Sequence, residues 1–216
     1  MKDKSWHFYL PAMILLLILW YVIFIIVHLP IIPSPVLVME RLGNIFTQTI
    51  AIHALYSLWR IIAGVFLAII TGVPIAVMMG YYKKCDKILA PIVYLTYPIP
   101  KIALLPIWML LAGIGELPKV IMIFLIVIFQ VLVAIRDSIK TIPKEMFFPL
   151  YSLGASFRQI FLNILWPAVL PNFITSLRVA MGTAISVLFF TETFGTKYGM
   201  GYFIMDSWLR VNYLDM

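Results

Sequence analysis

Arg60, Lys101, Arg178 and Glu192 are ionisable side chains inside or at the edges of long apolar runs. Charges in such surroundings are costly unless they pair, reach water or line a polar path, so they are candidates for solute or ion handling. Arg60 and Lys101 have a second option, since long cationic side chains can snorkel to an interface. Glu192 stands close to the end of its run and can reach water there. His53 has no metal-spaced partner and reads as an interfacial residue rather than a ligand. The single cysteine, Cys85, lies in a basic segment and allows neither an internal disulfide nor a cysteine-based metal site. Three scattered histidines and one cysteine supply no clustered nucleophile, base or metal set.

The elements that must position these groups are apolar helices. Of the 216 residues, 63% are hydrophobic and 12% charged, against about half and a quarter in soluble domains. About 20 apolar residues cross a bilayer as a helix. Five runs qualify, roughly 8–29, 52–80, 88–113, 118–136 and 168–194. The first, behind Met1-Lys-Asp-Lys, exceeds a signal-peptide core and lacks a small-residue cleavage site, so it reads as a retained span. The expected fold is therefore an all-α polytopic membrane protein with five transmembrane helices, read as one domain over 1–216.

The net charge of +7 forms no face or stripe that would suit nucleic acid. With the N-terminus inside, the cytoplasmic segments hold Lys2, Lys4, Lys83, Lys84, Lys87, Arg136, Lys140, Lys144 and Arg158, against Arg41, Lys119, Lys197 and Arg210 outside. That excess fits the positive-inside rule, and places 31–50 outside as an amphipathic stretch.

Two spans carry special patterns. The second places Gly64, Ala68, Gly72, Ala76 and Gly80 four residues apart, a stripe that lets another helix backbone approach closely; Pro74 predicts a kink within it. The third is interrupted by Pro91, Pro98, Pro100 and Pro106. Backbone groups freed by proline inside a membrane need protein or a water-filled cavity, so Pro98, Pro100 and Lys101 join Arg60 and Glu192 as candidate pathway residues. A kinked helix without a pore role is the alternative.

Residues 137–167 form the main loop. Thr141-Ile-Pro143 predicts the start of a short helix, Gly154 its C-terminal cap, and Ser156 with Gln159 a capping box for a second helix, while Pro167 marks a break before the fifth span. Met146, Leu150, Leu153, Phe157, Ile160 and Ile164 recur at helical steps and give this helix–turn–helix an apolar face. That face either packs on its own membrane domain or docks a soluble partner.

Gly154-Ala155-Ser156, followed by Ile164 and Trp166-Pro167, resembles the second half of the "EAA" loop of permease subunits in binding-protein-dependent ATP-binding-cassette (ABC) importers. The resemblance extends to Pro33-Ser-Pro35, Ser57-Leu-Trp-Arg60 with Gly64, Gly72-Val-Pro-Ile-Ala76, Pro98 to Pro106, Gly113-Ile-Gly115-Glu116, Glu192 and Gly199-Met-Gly201-Tyr202. It is similar to the nitrate/sulfonate/taurine branch, whose relatives also include carriers of pyrimidine-type vitamin precursors. The resemblance implies a MetI-like fold in the cell (inner) membrane and a pathway formed with a second permease copy. It also implies an extracytoplasmic binding protein, and a separate ATPase docked by Glu145, Phe148, Pro149, Leu150, Gly154, Ala155, Ser156, Ile164 and Pro167. The sequence contains no G-x-x-x-x-G-K-[ST] pattern, so ATP would be bound by the partner and no cofactor by this chain. Two departures stand out: Phe148-Pro149-Leu150 occupies the Glu-Ala-Ala positions, with Glu145 one turn earlier as a stand-in, and relatives continue into a final span beyond Met216. The competing classes are a secondary carrier or channel working without an ATPase, and a membrane-embedded enzyme.

Overall fold

The computed structural model describes residues 6–216. Lys2 and Lys4, two of the residues used to orient the chain, lie outside that range. The described chain is helical, and its contacts divide it into two units, Met1–Tyr56 with Lys197–Met216, and Ser57–Thr196.

In the first unit, helix α1 (Trp6–Val27) is strongly apolar, and none of its residues from Tyr9 to Val27 is buried, as in a lipid-facing span. Helix α2 (Pro35–Ile45) is the amphipathic segment expected after it. Ser34 caps α2 by accepting from the Leu37 N–H at 3.3 Å, and Pro35 sits in the first turn, where its missing donor has no cost. Arg41 of α2 binds Asp215 through two hydrogen bonds of 2.5 and 3.0 Å. The hydrogen-bonded guanidinium holds the Asp215 carboxyl below the usual carboxylate range. His53 is buried within the protein: its Nδ1 accepts from the Gly199 N–H at 3.1 Å, and Tyr198, Tyr202 and Phe203 pack around the ring.

Helix α3 (Ala51–Tyr81) continues unbroken through Pro74. Its small-residue stripe, within the second unit, faces helix α6 (Glu116–Lys140). Ala68 and Ala76 are fully buried, and a Cβ added to Gly64 or Gly80 would lie 2.6 Å from Ile123 or 2.7 Å from Ile139. The stripe thus seats an intrachain helix.

The third span is broken as the prolines require. Helices α4 (Lys83–Thr96) and α5 (Leu105–Ala112) meet at an 85° bend, with a single 3₁₀ turn at Lys101–Leu104 between them. Neither half alone reaches the length of about 20 residues that a crossing needs. Pro98 and Pro100 lie in the break, whereas α4 continues through Pro91 and Pro106 occupies the first turn of α5. Among the described residues, four helices are long and apolar enough to cross a membrane, five with the bent pair counted as one span.

Beyond α6 come the short helices α7 (Phe148–Ser152) and α8 (Phe157–Ile160), then the long α9 (Trp166–Glu192) and α10 (Met200–Leu209). Pro167 is not the break expected from sequence. A π turn over Phe161–Leu165 joins α8 to α9, and Pro167 falls in the first turn of α9, where no backbone donor is needed. Helix α9 runs antiparallel to α6, tied by Asn172 Nδ2 donating to Ser138 Oγ at 3.0 Å and Ser176 Oγ to the Gln130 carbonyl at 3.4 Å.

Candidate functional site

The loop between α6 and α9 is built from local backbone rules. A 3₁₀ turn over Lys144–Phe147 leads into α7, which places Pro149 in its first turn. The helix then stops in a Schellman motif: the Ala155 N–H donates to the Leu150 carbonyl at 2.9 Å and the Gly154 N–H to that of Tyr151 at 3.1 Å. Gly154 takes φ +66°, which a β-branched residue adopts only with strain, and a Cβ there would meet open space. The reason for glycine is therefore conformational rather than steric. Ser156 and Gln159 form the reciprocal capping box, with the Ser156 N–H donating to Gln159 Oε1 at 2.7 Å.

The apolar face of the loop divides into two parts. Ile160, Ile164 and Leu165 are buried in the core, with Leu150 and Ala155 packed beside them. Met146, Phe148, Tyr151, Leu153 and Phe157 remain exposed, Leu153 at 81%. Glu145 is exposed beside them. Aromatic rings brace the loop against the end of α3: Phe157 packs on Tyr81 and Tyr82, and the Tyr151 and Tyr81 hydroxyls are 3.2 Å apart. The start of α4 joins the same end through Asp86, which takes Arg136 Nε at 2.7 Å and pairs with Lys140.

At the opposite end of α6 and α9 lies a buried ion cluster. Arg60 is fully buried and grips Glu116 in a fork, Nε to Oε2 at 2.5 Å and Nη2 to Oε1 at 2.6 Å. Its Nη1 donates to Glu192 Oε1 at 2.6 Å, and Ser57 Oγ lies within hydrogen-bond distance of both Glu192 oxygens, at 2.7 and 2.9 Å. Lys119 is buried nearby, its Nζ donating to the Gly115 carbonyl at 2.6 Å. Two cations thus face two carboxylates, and one guanidinium joins α3, the start of α6 and the end of α9.

A third feature lies at the α4–α5 bend. Lys101 Nζ donates to the Thr96 and Tyr97 carbonyls at 2.6 and 2.5 Å, the freed acceptors at the end of α4, and stands 4.4 Å from the centre of the Phe129 ring. It lines a cavity of about 280 Å³ together with Gln130 of α6 and Thr183 of α9.

The model of the family described as binding-protein-dependent transport system inner membrane component matches residues 64–215. The chain belongs to this family. It is 30% identical to the taurine transport system permease protein TauC of Escherichia coli K12, over 81% of this chain and 66% of that protein. It is 28% identical to the formylaminopyrimidine transport permease protein ThiX of Halalkalibacterium halodurans, over 88% and 76%. With the putative aliphatic sulfonates transport permease protein SsuC of Bacillus subtilis it shares 27%, over 92% and 72%. The chain therefore spans about two thirds to three quarters of the length of these relatives. An inward-facing structure of the MetNI methionine ABC transporter aligns with a TM-score of 0.64 at 17% identity, covering 79% of this chain and 83% of that one. The fold is MetI-like, and the chain is a multi-pass inner-membrane protein of this permease family.

In this family member the loop residues singled out from sequence separate by exposure. Phe148, Pro149, Gly154, Ser156, Pro167 and Glu145 are exposed, Leu150 and Ala155 are half-buried, and Ile164 is buried. Of the candidate pathway residues, Arg60 and Glu192 come together in the buried cluster. Lys101 stands apart at the bend, and Pro98 and Pro100 are exposed beside it. Sequence reasoning did not single out Glu116 and Ser57 as the partners of that cluster, although both stand in stretches that carried the family resemblance. Gln130 and Thr183 had no signal, because single polar residues on apolar helices are common.

Proposed function

We propose that this chain is the permease subunit of an ATP-driven importer, forming with a second copy the translocation pathway for a small solute and taking its energy from a separate ATPase. The whole of 1–216 acts as one transport domain on this reading. The observation that carries it is the loop of α7 and α8: a rigidly capped helix–turn–helix that leaves Met146, Phe148, Tyr151 and Leu153 uncovered at the lysine-rich end of the spans. An apolar rim on a braced, water-facing element calls for a soluble partner, and an ATPase groove is that partner. Phe148-Pro149-Leu150 replaces the acidic and small residues of related loops with a more apolar contact, and Glu145 supplies the acidic group. Gly154, Ala155 and Ser156 set the turn, while Ile164 and Pro167 transmit its movement to α9.

Solute arrives from an extracytoplasmic binding protein and passes the α4–α5 bend, where Pro98, Pro100 and Lys101 border the path. Arg60 and Glu192 hold the outer ends of the spans around it. The similarity to the taurine and sulfonate permeases supports a sulfonate, taurine or nitrate as solute; the ThiX likeness gives a pyrimidine-type precursor as the second reading. Purification of the complex from native membranes, followed by uptake into proteoliposomes, tests the proposal. An ATPase and a binding protein should co-purify, and uptake should require ATP inside the vesicle face bearing the loop. Uptake by the purified chain without an ATPase would instead establish a secondary carrier.

A further inference from the structure

We infer that the cavity at the α4–α5 bend is an anion subsite within the membrane, with Lys101 as its cation and Gln130 and Thr183 as its polar walls. The inference deepens the proposed function by assigning a charge class to the solute, and rests on it for the claim that solute passes here. Its first support is depth. Gln130 lies fourteen residues from the start of α6, about 21 Å along the axis, and Arg178 lies the same distance from the end of α9. Counted to the other end of each helix, Gln130 is ten residues (about 15 Å) and Arg178 twelve (about 18 Å) away, so both stand near the middle of their helices.

The second support is charge. Among the described residues no carboxylate lies within ion-pair distance of Lys101 or of Arg178. Lys101 is instead held by two carbonyls and an aromatic face, contacts that fix the ammonium without neutralising it. The buried cations at the other end of α6, Arg60 and Lys119, share their surroundings with Glu116 and Glu192. A net positive charge at membrane depth is stable only beside water or an anion.

The third support is the surface of α9. Thr175, Arg178, Gly182, Thr183 and Ser186 of α9 are exposed, with Val179 among them, whereas Ala180, Ala184 and Leu188 are buried. A polar, small-residue face on a spanning helix suits a hydrated path rather than lipid. Arg178 is a second exposed cation on α9, five residues from Thr183 and about 140° around the helix from it. Sulfonates and nitrate, as well as carboxylates of similar size, have the chemistry such a path accepts.

The test reads charge preference directly, without requiring the ATPase. In the full chain with Cys85→Ser, Thr183→Cys places one thiol in the cavity. Membranes are treated with a methanethiosulfonate bearing a sulfonatoethyl group or one bearing a trimethylammonium-ethyl group. The cysteine thiolate attacks the reagent, forming a mixed disulfide and releasing methanesulfinate, and the two rates are compared. Taking the ratio of anionic to cationic rate cancels the thiol's own ionisation.

Lys101→Met should lower that ratio about tenfold or more, since a unit charge several ångströms away acts in opposite senses on the two reagents even at water-like screening, and Lys101→Arg should preserve it. With Lys101 intact, ethanesulfonate should slow the reaction and tetramethylammonium should not; this arm stands even if Lys101→Met fails to fold. Absence of reaction with both reagents would mean a cavity filled by lipid or protein, and would overturn the inference. So would a ratio indifferent to Lys101, or protection by the cation. Loss of ATPase co-purification with the charge preference intact would instead remove the importer reading alone.

Discussion

Removing the Arg60 guanidinium should destabilise the protein by about 3–5 kcal/mol, the usual result of leaving a buried charge without its partner. In Arg60→Met the fork to Glu116 and the bond to Glu192 vanish together. Glu116 has a side chain 48% exposed and can turn to water, so it adds little. Glu192 is 1% exposed, so most of the cost falls there even though the Ser57 hydroxyl stays within hydrogen-bond distance. At about 2–4 °C per kcal/mol for a chain of this size, the melting temperature in lipid nanodiscs should fall by on the order of 10 °C. A companion variant, Arg60→Met with Glu192→Met, removes the stranded charge along with its partner. It should recover at least half of the loss, because replacing a whole buried pair with apolar groups is often near neutral. A melting temperature within about 2 °C of the parent for Arg60→Met would refute the clamp. So would a double variant less stable than the single, since the cost would then lie in packing.

Other expectations follow from the same geometry. Gly80→Leu should lower thermal stability by about 1–3 kcal/mol, because its Cβ alone would lie 2.7 Å from the branched Ile139 Cβ, whereas substitution of the open Gly43 on α2 should cost under about 1 kcal/mol. Gly154→Val should leave membrane insertion intact while reducing ATP-coupled uptake severalfold, read as hydrolysis per solute moved, since strain at φ +66° and not crowding is what it introduces. Asp215→Asn should reduce stability near pH 7 but not near pH 2. The Arg41 pair lowers the folded pKa of Asp215, so its contribution is present above the ordinary carboxylate value and lost as pH falls through the depressed one; parallel melting curves at the two pH values check this.

The parts of the fold legible in sequence were those governed by local rules. The Schellman cap at Gly154 and the capping box at Ser156 need only a few adjacent residues, and the five apolar runs need only length. The bend at Pro98 and Pro100 was legible for the same reason, as proline chemistry acts on its own turn. Pro167 misled because its effect depends on context: with a π turn before it, the missing donor falls in a first helical turn and breaks nothing. The buried cluster was half legible. Arg60 and Glu192 announced a cost that had to be met, but their meeting depends on α6 and α9 running antiparallel, a fact with no local trace. The packing of His53 was hidden for the same reason, since its acceptor role depends on Gly199, far away in sequence.

The second unit is pinned at both ends of the same helix pair. At one end Arg60 ties α3, α6 and α9 through side chains that no water-sized change of spacing leaves intact. At the other, the aromatic contacts of Tyr81, Phe157 and Tyr151 tie α3 to the loop, while Asp86 and Arg136 tie α4 to α6. Between these pins the α4–α5 bend, where backbone bonding is interrupted, is the place with the least internal restraint. On the proposed reading, a pull on the loop would be transmitted through α3 and α9 as stiff rods, and the strain would be released at the bend, beside Lys101 and its cavity. Coupling by this route needs no contact between the loop and the solute. It requires only that the two pins hold while the bend yields, and cross-linking α5 to α6 across the bend should abolish transport while leaving both pins, and the melting temperature, unharmed.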